Sequence, residues 1–328
     1  MNSPPPPTAT GFSALHPDII DSHILTRLDG PSLASAACCT TSLCRLSSPE
    51  NLWFNICDST WPSTTTSRVR QVISAFPGGG PRAFFSHAFP LPSQLSLTLS
   101  SASSPPELLS AVDIHYHGKL IFTKLHETET QTEWFRCSPF RIDLLEPKDV
   151  VPTAQNYPAG GTEILAGMTL SWILIDPIGQ RAANVSSHKP VMVQRHWLTG
   201  ELQATFASIL AADDGDGGVQ CGIVVTCGGS EGGEMQVREV RLEIEDMDGM
   251  HLNGKESLVI LQGALEGKKG TGKNRVEEAR RRYREYAEMK RERRERKLRK
   301  EGALDLLWVA FGVSIFYFFW SYFFVQMK

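Results

Sequence analysis

The chain has 328 residues, with 33 Lys and Arg against 36 Asp and Glu and a formal net charge of −3. That near-neutral total hides an acidic body and a basic neck: residues 1–267 hold 16 Lys/Arg against 28 Asp/Glu, whereas residues 268–300 hold 16 against 6. Seven cysteines, an odd number without a spacing framework, exclude a disulfide scaffold and fit reduced, mostly buried thiols. The length ahead of the neck suffices for one sizeable core plus a small helical module.

Residues 1–11 are Pro-rich and expected to be disordered. They carry neither a positive n-region nor an apolar h-region, so no secretory signal is expected. Short helices are predicted from Leu15 to Trp61. Pro17 suits a first helical position, and Ile20, Ile24 and Leu28 then recur every four residues. Asp29-Gly30-Pro31 ends that helix and starts another, with Leu33, Ala36 and Ala37 as its apolar stripe. Leu43 and Leu46 mark a third helix, and Leu52, Trp53 and Ile56 a fourth. Residues 64–107 read as a linker with short helices, broken at Pro77-Gly-Gly-Gly-Pro81 and Ser/Pro-rich from Ser93 to Pro106.

Over residues 108–266 the period changes to two. Candidate strands are 111–116, 120–125, 169–175, 191–197, 203–208, 220–227, 236–245 and 257–261. A hairpin is expected at His117-Gly118-Lys119, and a turn at Asp176-Pro-Ile-Gly179. Many short strands with Gly-rich turns predict an antiparallel β-sandwich-like domain, and the whole chain an α+β fold.

Residues 267–302 have the composition of a long basic helix without an apolar stripe, expected to be solvent-exposed and laced with Glu–Arg pairs. Leu306 to Val325 then runs for twenty residues without a charge. Twenty helical residues rise ~30 Å, the thickness of a bilayer's hydrocarbon core, so 303–325 is expected as a single transmembrane helix. Lys and Arg beside a span stay on the cytosolic side, which places the bulk of the chain in the cytosol, held by a C-terminal anchor. The neck adds attraction to anionic head groups. A single span excludes a channel or transporter. A nuclear signal or nucleic-acid helix in the neck is the weaker alternative, since the span already accounts for the charge.

The N-terminal pattern carries a resemblance. Leu15-His-Pro-Asp-Ile-Ile, Ile24-Leu-Thr-Arg-Leu-Asp-Gly, Ser32-Leu-Ala-Ser-Ala-Ala-Cys-Cys and Leu52-Trp53, followed by Trp61-Pro-Ser63, resemble the F-box of a group of plant F-box proteins. Asn184-Val-Ser-Ser, His196-Trp-Leu-Thr-Gly200 and Glu245-Asp-Met-Asp-Gly249 are similar to stretches of their C-terminal halves. Residues 12–63 are the part that matches the F-box. The resemblance implies docking on the Skp adaptor of a cullin-RING (SCF) ubiquitin ligase, with Leu15, Pro17, Ile20, Leu28, Leu33 and Trp53 on or near the interface. His16, inserted between Leu15 and Pro17, departs from the commonest Leu-Pro start. The resemblance further implies that the β-rich domain captures an unknown protein substrate, with no catalytic residue and no cofactor in the chain itself. The alternative is a membrane-tethered binding or lectin-like scaffold outside any ligase.

Other signals are weaker. Gly267 to Asn274 nearly fits a phosphate loop, but Asn274 stands where a Ser or Thr must ligate magnesium, so a Gly/Lys hinge is favoured. His115 and His117 would share one strand face but lack further ligands, and Cys221 and Cys227 read as core and edge residues. Asp213 to Gly218 lacks the spacing and closing Glu of a calcium loop.

Overall fold

The computed structural model describes residues 15–90, 104–158, 161–210, 218–230, 232–267, 269–270 and 274–327. The Pro-rich start, most of the Ser/Pro-rich stretch, nearly all of the Asp213–Gly218 turn and half of the Gly267–Asn274 segment lie outside the described residues.

The chain opens with helices α1 (Pro17–Ile19), α2 (Gly30–Ala37), α3 (Thr41–Leu46) and α4 (Glu50–Thr60), with π and 3-10 turns from Ile20 to Arg27 between the first two. α5 (Ser67–Ser74) and α6 (Pro81–Ala88) follow within the stretch expected as a linker. Both turn side chains inward: Val69, Ile73, Phe84 and Phe85 are buried. The aromatic content explains why they are not loose. Trp53, Trp61, Phe76, Phe84, Phe85 and Phe89 form a chain of ring contacts with centroids 5.1–5.9 Å apart.

Two antiparallel sheets come next. One joins β1 (Glu107–Tyr116), β2 (Lys119–Glu129), β5 (Met168–Asp176) and β6 (Arg181–Asn184) in the order β2-β1-β5-β6. The other joins β3 (Arg141–Asp143), β4 (Val151–Asn156), β7 (Met192–Arg195), β8 (Leu202–Leu210), β9 (Val219–Gly228) and β10 (Glu234–Glu245) in the order β3-β10-β9-β8-β7, with β4 also on β10. Leu108, Val112 and Trp172 of the first sheet share one core with Phe206, Ile223 and Leu242 of the second. The expected turns form as well. His117 and Gly118 take left-handed φ values of 49° and 75° at the β1–β2 hairpin, and the Asp176 carboxylate accepts from the Ile178 and Gly179 amides between β5 and β6.

Strands β1 and β5 of the first sheet are buried on both faces. Alternate residues of β1 and β5 divide between two cores: Leu108, Val112, Ile114, Leu170, Trp172 and Leu174 point between the sheets, while Leu109, Ala111, Ile173 and Ile175 point at the helices. Strands covered on both sides need apolar side chains on both, which is why Leu108 to Ile114 reads as a near-continuous run rather than an alternation.

Three expectations change. Residues 257–261 are helical, inside α9 (Gly254–Glu266), rather than a strand. Asn253 accepts from the Glu256 amide at 2.9 Å and the Glu256 side chain accepts from the Asn253 amide at 3.2 Å, a capping box that fixes the helix start. Leu258, Leu261 and Leu265 then fall on its buried face. The basic neck is not wholly solvated. α10 (Arg275–Gln326) packs its first turns on the second sheet, burying Ala279 and Tyr286. Finally, Cys57, Cys221 and Cys227 are buried, with thiols pushed up to about 12 by burial, but Cys38, Cys39 and Cys137 are exposed. Both Cys221 and Cys227 belong to the inter-sheet core.

Two further helices, α7 (Glu133–Cys137) and α8 (Gly161–Gly167), lie in the loops of the β region.

Candidate functional site

Side chains set each turn of the first four helices. His16 caps α1 ahead of Pro17. Asp29 caps α2, accepting from the Ser32 amide at 2.9 Å, and the Ser32 hydrogen bonds hold its carboxyl below the usual carboxylate range. Thr40 caps α3 through the Leu43 amide at 3.1 Å. The Trp53 indole donates to the Ser47 carbonyl at 2.7 Å, tying α4 to the end of α3. Gly30 allows a close approach: a Cβ there would stand 2.0 Å from the Phe85 ring.

The six predicted docking residues separate into two groups. Leu15 is 40% exposed and Pro17 is exposed, while Leu28 is half-buried. Ile20, Leu33 and Trp53 are buried, Leu33 completely, and so present no surface in this conformation; they hold the helices in place. Pattern reasoning missed Ile19, which is 45% exposed beside Pro17. Its signal was the doubled Ile19-Ile20, of which a short helix can bury only one.

The helices do not stand apart from the sheet. At the end of α4 the Trp61 indole donates to the Ser171 hydroxyl of β5 at 3.2 Å. The Ser63 amide and hydroxyl both donate to the Asp113 carboxylate of β1, at 2.9 and 2.6 Å, and Thr123 of β2 adds a third donor at 2.7 Å. Asp113 is fully buried, and burial pushes its carboxyl above the usual range despite these donors.

His115 and His117 do not share a strand face. A register shift follows Ile114, and His117 sits in the hairpin turn. Among the described residues no group of three or more His, Cys, Asp or Glu could hold a metal ion.

Curated proteins of Arabidopsis thaliana resemble this chain along most of its length. A probable F-box protein is 48% identical over 92% of this chain and 90% of its own. The chain belongs to the plant F-box protein family. Two further F-box proteins of the same plant are each 42% identical, one covering 95% of this chain and 96% of its own length, the other 83% and 79%. No family model matches the chain, and no solved structure matches it. The family relationship takes in the sheets as well as the N-terminal helices, in keeping with the hydrogen bonds that cross from Trp61 and Ser63 to Ser171 and Asp113.

Within this F-box protein α10 has a second part with a different character. Leu306 to Val325 exposes Trp308, Phe311, Phe316, Phe318 and Phe324 by 58–77%. The apolar window of this helix has a mean hydropathy of 1.8 and no residue buried by the body. It is long and apolar enough to cross a membrane.

Proposed function

We propose that the chain is a membrane-anchored substrate receptor of an SCF (Skp–cullin–F-box) ubiquitin ligase. Family membership over about nine-tenths of the chain supports the ligase role, and the exposed apolar end of α10 supports the anchor. Residues 12–63 dock the Skp adaptor, residues 108–266 capture a protein target, and residues 303–325 anchor the chain, with residues 267–302 against anionic head groups and the body in the cytosol. The chain performs no bond chemistry; ubiquitin transfer belongs to the recruited partners.

Leu15, Pro17 and Ile19 supply the contact at the first helix, because they are apolar and exposed. A large, uncovered apolar surface is stabilised when a partner removes it from water, at about 25 cal/mol per Å². Ile20, Leu33 and Trp53 act from behind by fixing that helix.

The test uses the full chain in detergent, since the helices share a core with the sheet. A Skp adaptor should be captured by the wild type. Leu15→Asp combined with Ile19→Asp should abolish capture with unchanged thermal unfolding, both side chains being on the surface. Failure of the wild type to bind any Skp adaptor refutes the ligase role. Carbonate extraction of cell membranes tests the anchor: the intact chain should stay in the pellet, and a version ending at Glu301 should be released.

A further inference from the structure

The hairpin joining β7 and β8 holds two large apolar side chains in water. Trp197 is 88% exposed and Leu198 71%. The backbone beneath them is closely tied. His196 and Glu201 pair across the turn at 2.7 Å, the Gly200 amide returns to the His196 carbonyl at 2.8 Å, and Gly200 takes a φ of 73° that favours glycine. The Thr199 hydroxyl contacts both the His196 ring and the Glu201 carboxylate. Arg238 of β10 grips Glu201 at 2.6 Å, and Arg195 donates to the Gly200 carbonyl at 3.1 Å. The tip is therefore pre-organised, and an exposed Trp on a fixed platform is the side chain that contributes most when a partner covers it.

Beside this tip lies an open cavity of about 810 Å³, to which Thr199, Glu201 and Arg238 contribute. Its walls come from both sheets, through His126 of β2 and Arg141 of β3, and from the loop after β3. The lining carries five carboxylates against Lys124, Arg141 and Arg238, with burial holding the His126 ring below its ordinary pKa. Arg141 is spent on Asp143, Arg238 on Glu201 and Arg241 on Glu239, and Lys124 donates to the Leu144 carbonyl. Glu146 and Asp149 remain on the exposed rim, with Lys148 the cation beside Glu146.

We infer that Trp197, Leu198 and this acidic cavity form the target-recognition surface, and that it takes a basic peptide segment carrying a neighbouring large apolar side chain. The apolar residue packs on Trp197 and Leu198, and Lys or Arg side chains enter the cavity towards Glu146 and Asp149. Charge complementarity selects the sign of the partner and speeds its encounter, while the rigid aromatic supplies residence time. The assignment rests on the receptor role proposed above.

A peptide library with each position fixed in turn, captured on the full-length chain in detergent with Skp adaptor bound, tests it. The wild type should enrich peptides pairing Lys or Arg with Leu, Phe, Trp or Met, and raising salt from 0.05 to 0.5 M should reduce capture. Trp197→Ala should lower capture about tenfold or more, as should Glu146→Lys with Asp149→Lys. All three side chains are exposed, so thermal unfolding and adaptor capture should not move. Enrichment of acidic peptides, enrichment that survives these substitutions, or no enrichment while the adaptor is held would overturn the inference. Loss of the adaptor itself, by contrast, is the failure of the ligase role.

Discussion

The two outer faces of the sandwich are covered in opposite ways. On the first sheet, helices α4 to α6 are fused by buried aromatic rings, and Asp113 accepts three hydrogen bonds where Ser63 and Thr123 meet it. On the second, α10 rests through Tyr286, whose hydroxyl donates to the Asp246 carbonyl at 2.9 Å, and through ion pairs from Lys290 to Glu245 and from Arg293 and Lys297 to Asp248. Buried rings keep their contribution at any ionic strength, whereas half-exposed ion pairs are screened by salt and individually worth little. The first joint is part of the fold; beyond the buried Tyr286 ring, the second is a strap laid over it. Arg275, at the start of α10, links the two: it donates to the Phe89 carbonyl at 3.0 Å and lies 4.4 Å from the Phe89 ring centre.

The largest expected effect breaks the first joint. Trp61→Ala removes a buried indole from the contact between helices and sheet, and should cost about 3–5 kcal/mol in denaturant unfolding of the body. If the helices were an independent module, the sheet would keep its midpoint and a second transition would appear. A single transition shifted as a whole supports the shared core.

A smaller loss is expected where the start of α10 meets the body. Burial, then Arg275 and Lys189, lower the pKa of His188 to about 3. The unfolded ring protonates near its ordinary value of about 6.5, so stability is complete above that pH and is lost as pH falls towards 3. Between pH 7 and pH 5 the loss from this ring should be about 2 kcal/mol, at about 1.36 kcal/mol per pH unit. His188 has a φ of 66°, which Asn tolerates, so His188→Asn should flatten the pH dependence without straining the turn. An unchanged slope would show that the ring is not held neutral.

Gly30→Ala should cost about 1–3 kcal/mol, because the added methyl meets the Phe85 ring and either α2 or α6 must shift. Full stability would mean that the two helices slide freely. The smallest effect separates the two joints most directly. Raising salt from 0.05 to 0.5 M should speed hydrogen exchange in residues 287–300 and leave α4 to α6 unchanged. Equal acceleration of both would remove the distinction.

Much of this architecture is written locally. Two of the three strands with no counterpart among the candidates, β3 and β6, span only three and four residues, too short for a period to register. α9 was concealed by the apolar run Leu258-Val-Ile-Leu, which suits a strand as well as a helix; its capping pair, Asn253 and Glu256, was the deciding signal. The seat of α10 was concealed for a different reason. Ala279, Tyr283, Tyr286 and Lys290 lie on one helical face, but a stripe that narrow disappears in an arginine-rich background. In the N-terminal helices, composition identified the apolar residues of residues 15–53 but not their sides. Ile19 and Ile20 are equally apolar, and only the packing of α1 decides which one meets water.

α10 runs unbroken from Arg275 to Gln326, 52 residues and so about 78 Å. In the anchored arrangement proposed above, the stretch of α10 between the body and Leu306 would set how far the sandwich stands from the lipid.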